Sequence, residues 1–234
     1  MTKLRDENGS ISILAIYTVL LVVAATFLIS HFFHGYVVKR QSQNVADSAA
    51  LAAVQVLKEK YEEEMKQRVE LELLDFWNEI NFELADCLAT GLTPCLTKEE
   101  LVQDKIQNPD LEAKLLAYLL YPAGEIDWLL VMKEPYFAGE FTARKNGDVL
   151  YDVCRREASL IHSVSVDLAS KNQGENQLSL TFPVEGEPKL LVEGSKKLEV
   201  DTIVQFSGDI PSASAAGISA DFDIDVSHKT PFTF

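Results

Sequence analysis

The pattern of polar and apolar positions divides the chain into three textures. The first is an unbroken apolar run from Ile11 to Phe33, with no Asp, Glu, Lys or Arg in it. At about 1.5 Å of rise per residue a helix of that length reaches roughly 35 Å, more than a hydrocarbon core of about 30 Å. Ile11, Leu14, Val19, Leu21, Val23, Phe27 and Phe33 fall all around such a helix, so the run reads as membrane-spanning. Ser12, Thr18, Thr26 and Ser30 are compatible with this, because a hydroxyl can bond back to the preceding turn. A cleaved signal peptide fits poorly. Its apolar core would be about 7–15 residues, and the nearest small-x-small pattern, Ala50-Leu51-Ala52, lies beyond Lys39 and Arg40. The run is therefore expected to remain as an anchor.

The second texture is amphipathic. Ala46, Ala49, Ala50 and Ala53 lie at i, i+3, i+4 and i+7, a narrow small-residue face suited to helix packing with a partner. High helix propensity alone explains an alanine-rich segment equally well. Tyr61, Met65, Val69, Leu73, Trp77, Ile80 and Leu84 continue an apolar stripe at helical spacing. The helix is expected to end near Cys87, before Gly91-Leu92-Thr93-Pro94. Either it runs as one rod from the membrane or it breaks near Gly35, since glycine costs up to about 1 kcal/mol in a helix interior. Thr97 and Glu100 form a capping box for a second helix. Asn108-Pro109-Asp110 opens a third, Leu111 to Leu120, closed by Pro122 and Gly124.

From Ile126 onward the texture reads as strands: Trp128 to Met132, Tyr136 to Ala143, Val149 to Tyr151, and Ile161 to Leu168. Asn146-Gly147 sits between two of them as a hairpin signal. Leu178 to Phe182, Lys189 to Val192, Leu198 to Phe206 and Phe222 to Val226 complete the set, and Ser212 to Gly217 reads as a small-residue linker or loop. The expected class is α+β: an N-terminal transmembrane helix continuing into a helical segment, followed by a β-rich C-terminal half. The expected divisions are a cytoplasmic tail at 1–10, the transmembrane helix at 11–33, a helical extracytoplasmic region at 34–122 and a β-rich extracytoplasmic region at 123–234.

Charge removes one class of function. The 234 residues carry a formal net charge of −15, which repels nucleic acid, and no Lys/Arg run with interleaved aromatics offsets it. Cys87 and Cys95 bracket a loop whose Gly and Pro favour a turn, so a disulfide between them suits an extracytoplasmic domain. With Cys154 the count is three, and the alternative is that all are small buried hydrophobes. Asp221, Asp223 and Asp225 alternate along an expected strand face, and His31 and His34 lie near the membrane boundary. Neither group completes a metal-site pattern, and solvated or interfacial polar positions are the better reading. The sequence carries no phosphate loop, nucleophile elbow or His-Glu-x-x-His, so a non-enzymatic chain with no cofactor and no small-molecule substrate is expected.

Gly9-Ser10 leads into the apolar run, Lys39-Arg40 follows it, and then comes Gln43-Asn44-Val45-Ala46-Asp47-Ser48-Ala49-Ala50-Leu51-Ala52-Ala53. This resembles the N-terminal region of TadE/TadG-like proteins of tight-adherence (Flp-type) pilus systems. Those proteins carry a Gly before a membrane helix, then a basic residue and a Gln-Asn-Ala-Ala-Asp-Ala-Ala-Ala-Leu-Ala-Ala-like stretch. The resemblance covers about the first quarter of the chain. Pilin-like members cut by prepilin peptidase carry a Glu five residues after the processed Gly, where this chain has Leu14. The likeness is thus to the unprocessed, TadG-like kind. Some relatives have a von Willebrand-type metal site; Asp225-Val226-Ser227-His228-Lys229 departs from its Asp-x-Ser-x-Ser pattern.

Lys3 and Arg5 nearly balance Lys39 and Arg40, so charge alone sets no orientation. The resemblance implies N-in, with the C-terminal domain in the periplasm or outside the cell, anchored in the inner membrane. It also implies pilus-assembly proteins or pilin-like subunits as partners, with a role in pilus biogenesis or as a minor-pilin-like subunit. The alternative is a single-pass anchored extracytoplasmic binding or sensing module unrelated to pili.

Overall fold

A computed structural model describes residues 4–91, 94–120, 126–172, 177–200 and 206–234. One helix dominates it. α1 (Leu4–Thr90) runs 87 residues without a break, about 130 Å at 1.5 Å per residue. It passes straight through Gly35, where an added Cβ would meet nothing within 4 Å. It stops at Gly91, whose φ of +66° is the left-handed conformation that ends helices.

Short helices follow. α2 (Lys98–Lys105) starts from the expected capping box: Glu100 N donates to Thr97 Oγ1 at 3.2 Å, and Thr97 N donates to Glu100 Oε2 at 2.8 Å. α3 (Pro109–Leu120) is capped by Asn108, whose Oδ1 accepts from Asp110 N and Leu111 N. Pro122 and Gly124, expected to close it, lie outside the described residues. The buried Glu134 accepts from Gln107 N at 2.8 Å and Asn108 N at 3.1 Å, which satisfies its carboxylate and fixes the α2–α3 corner.

The region from Trp128 to Leu168 departs from the strand reading. α4 (Trp128–Lys133), α5 (Ala143–Arg156) and α6 (Ala158–Lys171) occupy it, and residues 135–140 form turns. Alternation in Ile161 to Leu168 suggested a strand, yet Ile161, Ser165 and Ala169 are the buried positions, at helical spacing of four. Asn146-Gly147 lies in the first turn of α5 and makes no hairpin; both residues are buried. The glycine serves a different constraint. A Cβ on Gly147 would stand 1.8 Å from the Asp225 carbonyl oxygen, so the 218–226 segment can lie on the helix only if that side chain is absent.

Among the described residues, strands are confined to the last quarter of the chain. β1 (Ser179–Phe182), β2 (Lys189–Val200), β3 (Phe206–Gly217) and β4 (Phe232–Thr233) form an antiparallel sheet in the order β3-β2-β1-β4. Ser212 to Gly217, read as a linker, is the second half of β3; Ala213, Ala215 and Gly217 pair with Glu193, Leu191 and Lys189 of β2. Phe222 to Val226, read as a strand, is irregular, with Val226 buried against α5. Residues 201–205 of the expected Leu198 to Phe206 strand lie outside the described residues. The α+β class stands, with its helical part extending to Lys171.

The core gathers on α1. Leu57, Tyr61, Met65, Val69, Phe76 and Ile80 are buried beneath α4–α6, the sheet and the turns before α5. The Tyr61 hydroxyl donates to Asn146 O at 3.1 Å, Asn146 Nδ2 donates to Asp223 O at 3.1 Å, and Asp225 N donates to Ala143 O at 2.8 Å. These bonds tie the rod, α5 and the C-terminal segment into one knot. Gly147→Ala should disrupt it, costing about 2–3 kcal/mol and lowering Tm by roughly 4–12 °C, read from the loss of near-ultraviolet circular dichroism on heating.

Candidate functional site in the anchor and the juxtamembrane helix

Helix α1 changes character along its length. In its first part the side chains of Leu14, Val19, Leu21, Val23, Phe27 and Phe33 project from the helix and are exposed, and Ile11 lies on the same helix. The apolar window of this helix is 0% buried. A core helix would bury such a surface; this one leaves it for lipid, and among the described residues it is the one helix long and apolar enough to cross a membrane. Inside it, Thr18 Oγ1 donates to Leu14 O at 2.9 Å and Thr26 Oγ1 to Val22 O at 2.8 Å, so both hydroxyls are satisfied within the helix. His31 Nδ1 lies 2.8 Å from Phe27 O.

Burial begins at Val38, one and a half turns past Phe33. The body therefore starts where the apolar run ends. The β2–β3 hairpin lies along this exit: Ser42 Oγ donates to Ile210 O at 3.1 Å, Gln43 Nε2 to Ala213 O at 3.0 Å, and Lys196 Nζ to Gln41 Oε1 at 3.0 Å.

The alanine face comes next. Ala46, Ala49, Ala50 and Ala53 are buried, the last three completely. Their cover belongs to the same chain: α6 and the β2–β3 hairpin pack on this part of α1, and Ser165 Oγ sits 3.5 Å from Ala49 O. Small side chains let α6 approach closely, which is the geometry that the sequence pattern offered to a partner helix. Here the packing is intramolecular.

At the far end of α1, Cys87 and Cys95 are joined by a disulfide that closes the loop to α2. Cys154 is the unpaired third, buried in the core, where burial pushes its thiol up to about 12. Alongside the loop, Lys105 Nζ donates to Glu79 at 2.9 Å and to Glu83 at 2.7 Å, and the Tyr136 hydroxyl donates to Glu79. Sequence reading missed this cluster because its members are far apart in the chain and its pattern is ordinary surface charge. The bond from Tyr136, then that from Lys105, hold the Glu79 carboxyl below its usual range.

Asp221, Asp223 and Asp225 do not share a strand face; Asp225 Oδ1 accepts from Ser227 N at 2.9 Å and Asp223 O binds Asn146. Among the described residues no group of three or more His, Cys, Asp or Glu stands close enough to hold a metal ion.

Anchor, exit and alanine face together span the segment that comparison with known proteins identifies. Residues 9–56 match the family model described as "Putative Flp pilus-assembly TadE/G-like". The N-terminal region of this chain is thus TadE/G-like, from the glycine before the membrane helix to the turn after the alanine face. No curated protein and no solved structure matches the chain.

Two outcomes follow from this geometry. Ala49→Leu forces a larger side chain against α6 and should cost about 1–3 kcal/mol of body stability, read as a Tm lowered by roughly 2–12 °C. Because the Glu79 carboxyl is depressed, its contribution is present above its unfolded value of 4.5 and is lost as pH falls below it. Lys105→Met should therefore flatten the fall in stability below about pH 4.5, measured by denaturation across an acid series.

Proposed function

We propose that this chain is a non-enzymatic, membrane-anchored component of a tight-adherence (Flp-type) pilus assembly system, of the TadG-like kind. The observation that carries the proposal is the coincidence of the family match with one physical object. Residues 9–56 are the membrane-crossing helix, its exit and the first stretch of rod on which the body is built. In this reading α1 crosses the inner membrane once with its N-terminus in the cytoplasm, and the body stands in the periplasm or outside the cell. The Cys87–Cys95 disulfide supports that side, since such bonds persist in oxidising compartments. Leu14 at the position where processed pilins carry Glu supports a retained anchor with an assembly or minor-pilin-like role. Pilus-assembly proteins or pilin-like subunits are the partners this implies.

A second reading rests on the extent of the match. It stops at residue 56, while the folded body continues to the last residue, so the anchor can be of pilus-assembly type while the body binds or senses something else.

An in-frame deletion in the source organism separates the two. Loss of surface pili, restored by a chain tagged after Phe234, is the expected result; normal piliation would leave the second reading. The same tag reports orientation. Protease should reach it in intact cells or once the outer envelope is opened, and protection until the inner membrane is breached would put the body in the cytoplasm.

A further inference from the structure

The distal third of α1 carries an apolar stripe that the body does not use. Leu71, Leu74, Phe82 and Leu88 are 61%, 56%, 72% and 67% exposed. With the exposed Asn78 and Ala85 they recur at spacings of three and four, one continuous face of the helix. The face lies roughly opposite the buried Leu73, Phe76 and Ile80, so α2, α4 and the turns before α5 cover the other side of the same rod. From Leu71 to Leu88 it is about 25 Å long. Four large apolar side chains exposed in line make a patch of the kind that marks an interaction surface in a folded protein.

Its surroundings specify the occupant. Between Glu70 and Thr90 there are six carboxylates and no Lys or Arg. Glu79 and Glu83 share Lys105 on the body side, one cation between two carboxylates. Glu70 on one flank of the stripe, and Asp75 and Asp86 on the other, are exposed. Burial first, and then the carboxylates of Glu140 and Asp75, hold the Glu72 carboxyl above its usual range.

Lipid cannot be the cover, because Leu71 stands roughly 55 Å beyond Phe33 along the helix. A second copy is a poor cover too. Anchored in the same membrane, two rods would lie parallel and in register, and carboxylate would meet carboxylate on both flanks of the stripe. We infer that the Leu71–Leu88 face docks an amphipathic helix of another protein, one whose apolar stripe is flanked by Lys and Arg. The apolar stripes would supply the buried area and the charge pattern the choice of partner.

The probes are two synthetic helical peptides with identical Leu/Phe faces, one flanked by Lys and Arg and the other by Glu. Binding to the full chain in nanodiscs of zwitterionic lipid is read by fluorescence anisotropy against empty nanodiscs. The basic-flanked peptide should bind at least about tenfold more tightly, and the difference should shrink at high salt. Phe82→Ala should weaken that binding about tenfold, while Leu51→Ala, at an exposed leucine elsewhere on the rod, leaves it unchanged. Equal binding of the two peptides, or binding indifferent to Phe82→Ala, would overturn the inference. So would efficient disulfide dimers of F82C in native membranes, which would make a second copy the occupant.

Discussion

From Ala49 to Leu73, Ala50 apart, the buried side chains of α1 recur at every fourth residue, through Ala53, Leu57, Tyr61, Met65 and Val69. A helix turns once in 3.6 residues, so each step of four advances the buried face by about 40°, and six steps carry it roughly 240° around the rod. A body packed on such a face has to wind about the helix. The β2–β3 hairpin and α6 hold the membrane-proximal part, Asn146 and Phe222 meet it at Tyr61, and Tyr136 and Phe137 close on Phe76. Everything else in the fold depends on this one spiral of contacts. The buried residues of the short helices and the small sheet join those of α1 in one continuous core. The rod is the hydrophobic centre of the domain and the anchor at once.

That dual role gives the TadE/G-like segment, residues 9–56, two tasks at once. The segment contains the membrane crossing and the part of the rod on which the body first packs. Alanines at 46, 49, 50 and 53 suit a close approach there, where Ser165 Oγ of α6 lies 3.5 Å from Ala49 O. Farther along, the buried positions carry larger side chains, Leu57, Tyr61 and Met65. Small residues near a membrane exit are thus a demand of the chain's own packing. The surface left over for other molecules lies farther out, where the spiral has carried the buried face away from Leu71, Leu74 and Phe82.

Much of this was legible in the sequence, and the misses have physical causes. The apolar run, the stripe from Tyr61 onward, the Thr97–Glu100 box and the helix start at Asn108-Pro109-Asp110 are local signals, and local signals need nothing from the rest of the chain to be read. Trp128 to Leu168 failed because short apolar runs such as Trp128 to Met132, and the alternation in Val164 to Leu168, read as strands, while the burial that decides the matter comes from the rest of the core. Asn146-Gly147 misled for a sharper reason. Glycine marks both a turn and a close backbone approach, and at Gly147 the approach is by Asp225, seventy-eight residues away by numbering. No window along the sequence holds both. The alanine face was recognised as a packing face, but periodicity identifies a face without identifying what covers it.

Charge completes the physical picture of the anchored rod. On the body's side of the apolar run the first bases are Lys39 and Arg40 on α1, with Lys196 of the hairpin beside Gln41, whereas the stretch from Glu70 to Thr90 of α1 carries acids alone. Lipid headgroups that are anionic attract the first set and repel the second. The field therefore acts in the same sense as the unbroken helix: it favours a rod that stands away from the surface over one that lies along it. The unbroken helix carries Leu71 roughly 55 Å beyond Phe33 along its own axis. There the acid flanks of the distal stripe favour a basic partner over an acidic one before apolar contact begins.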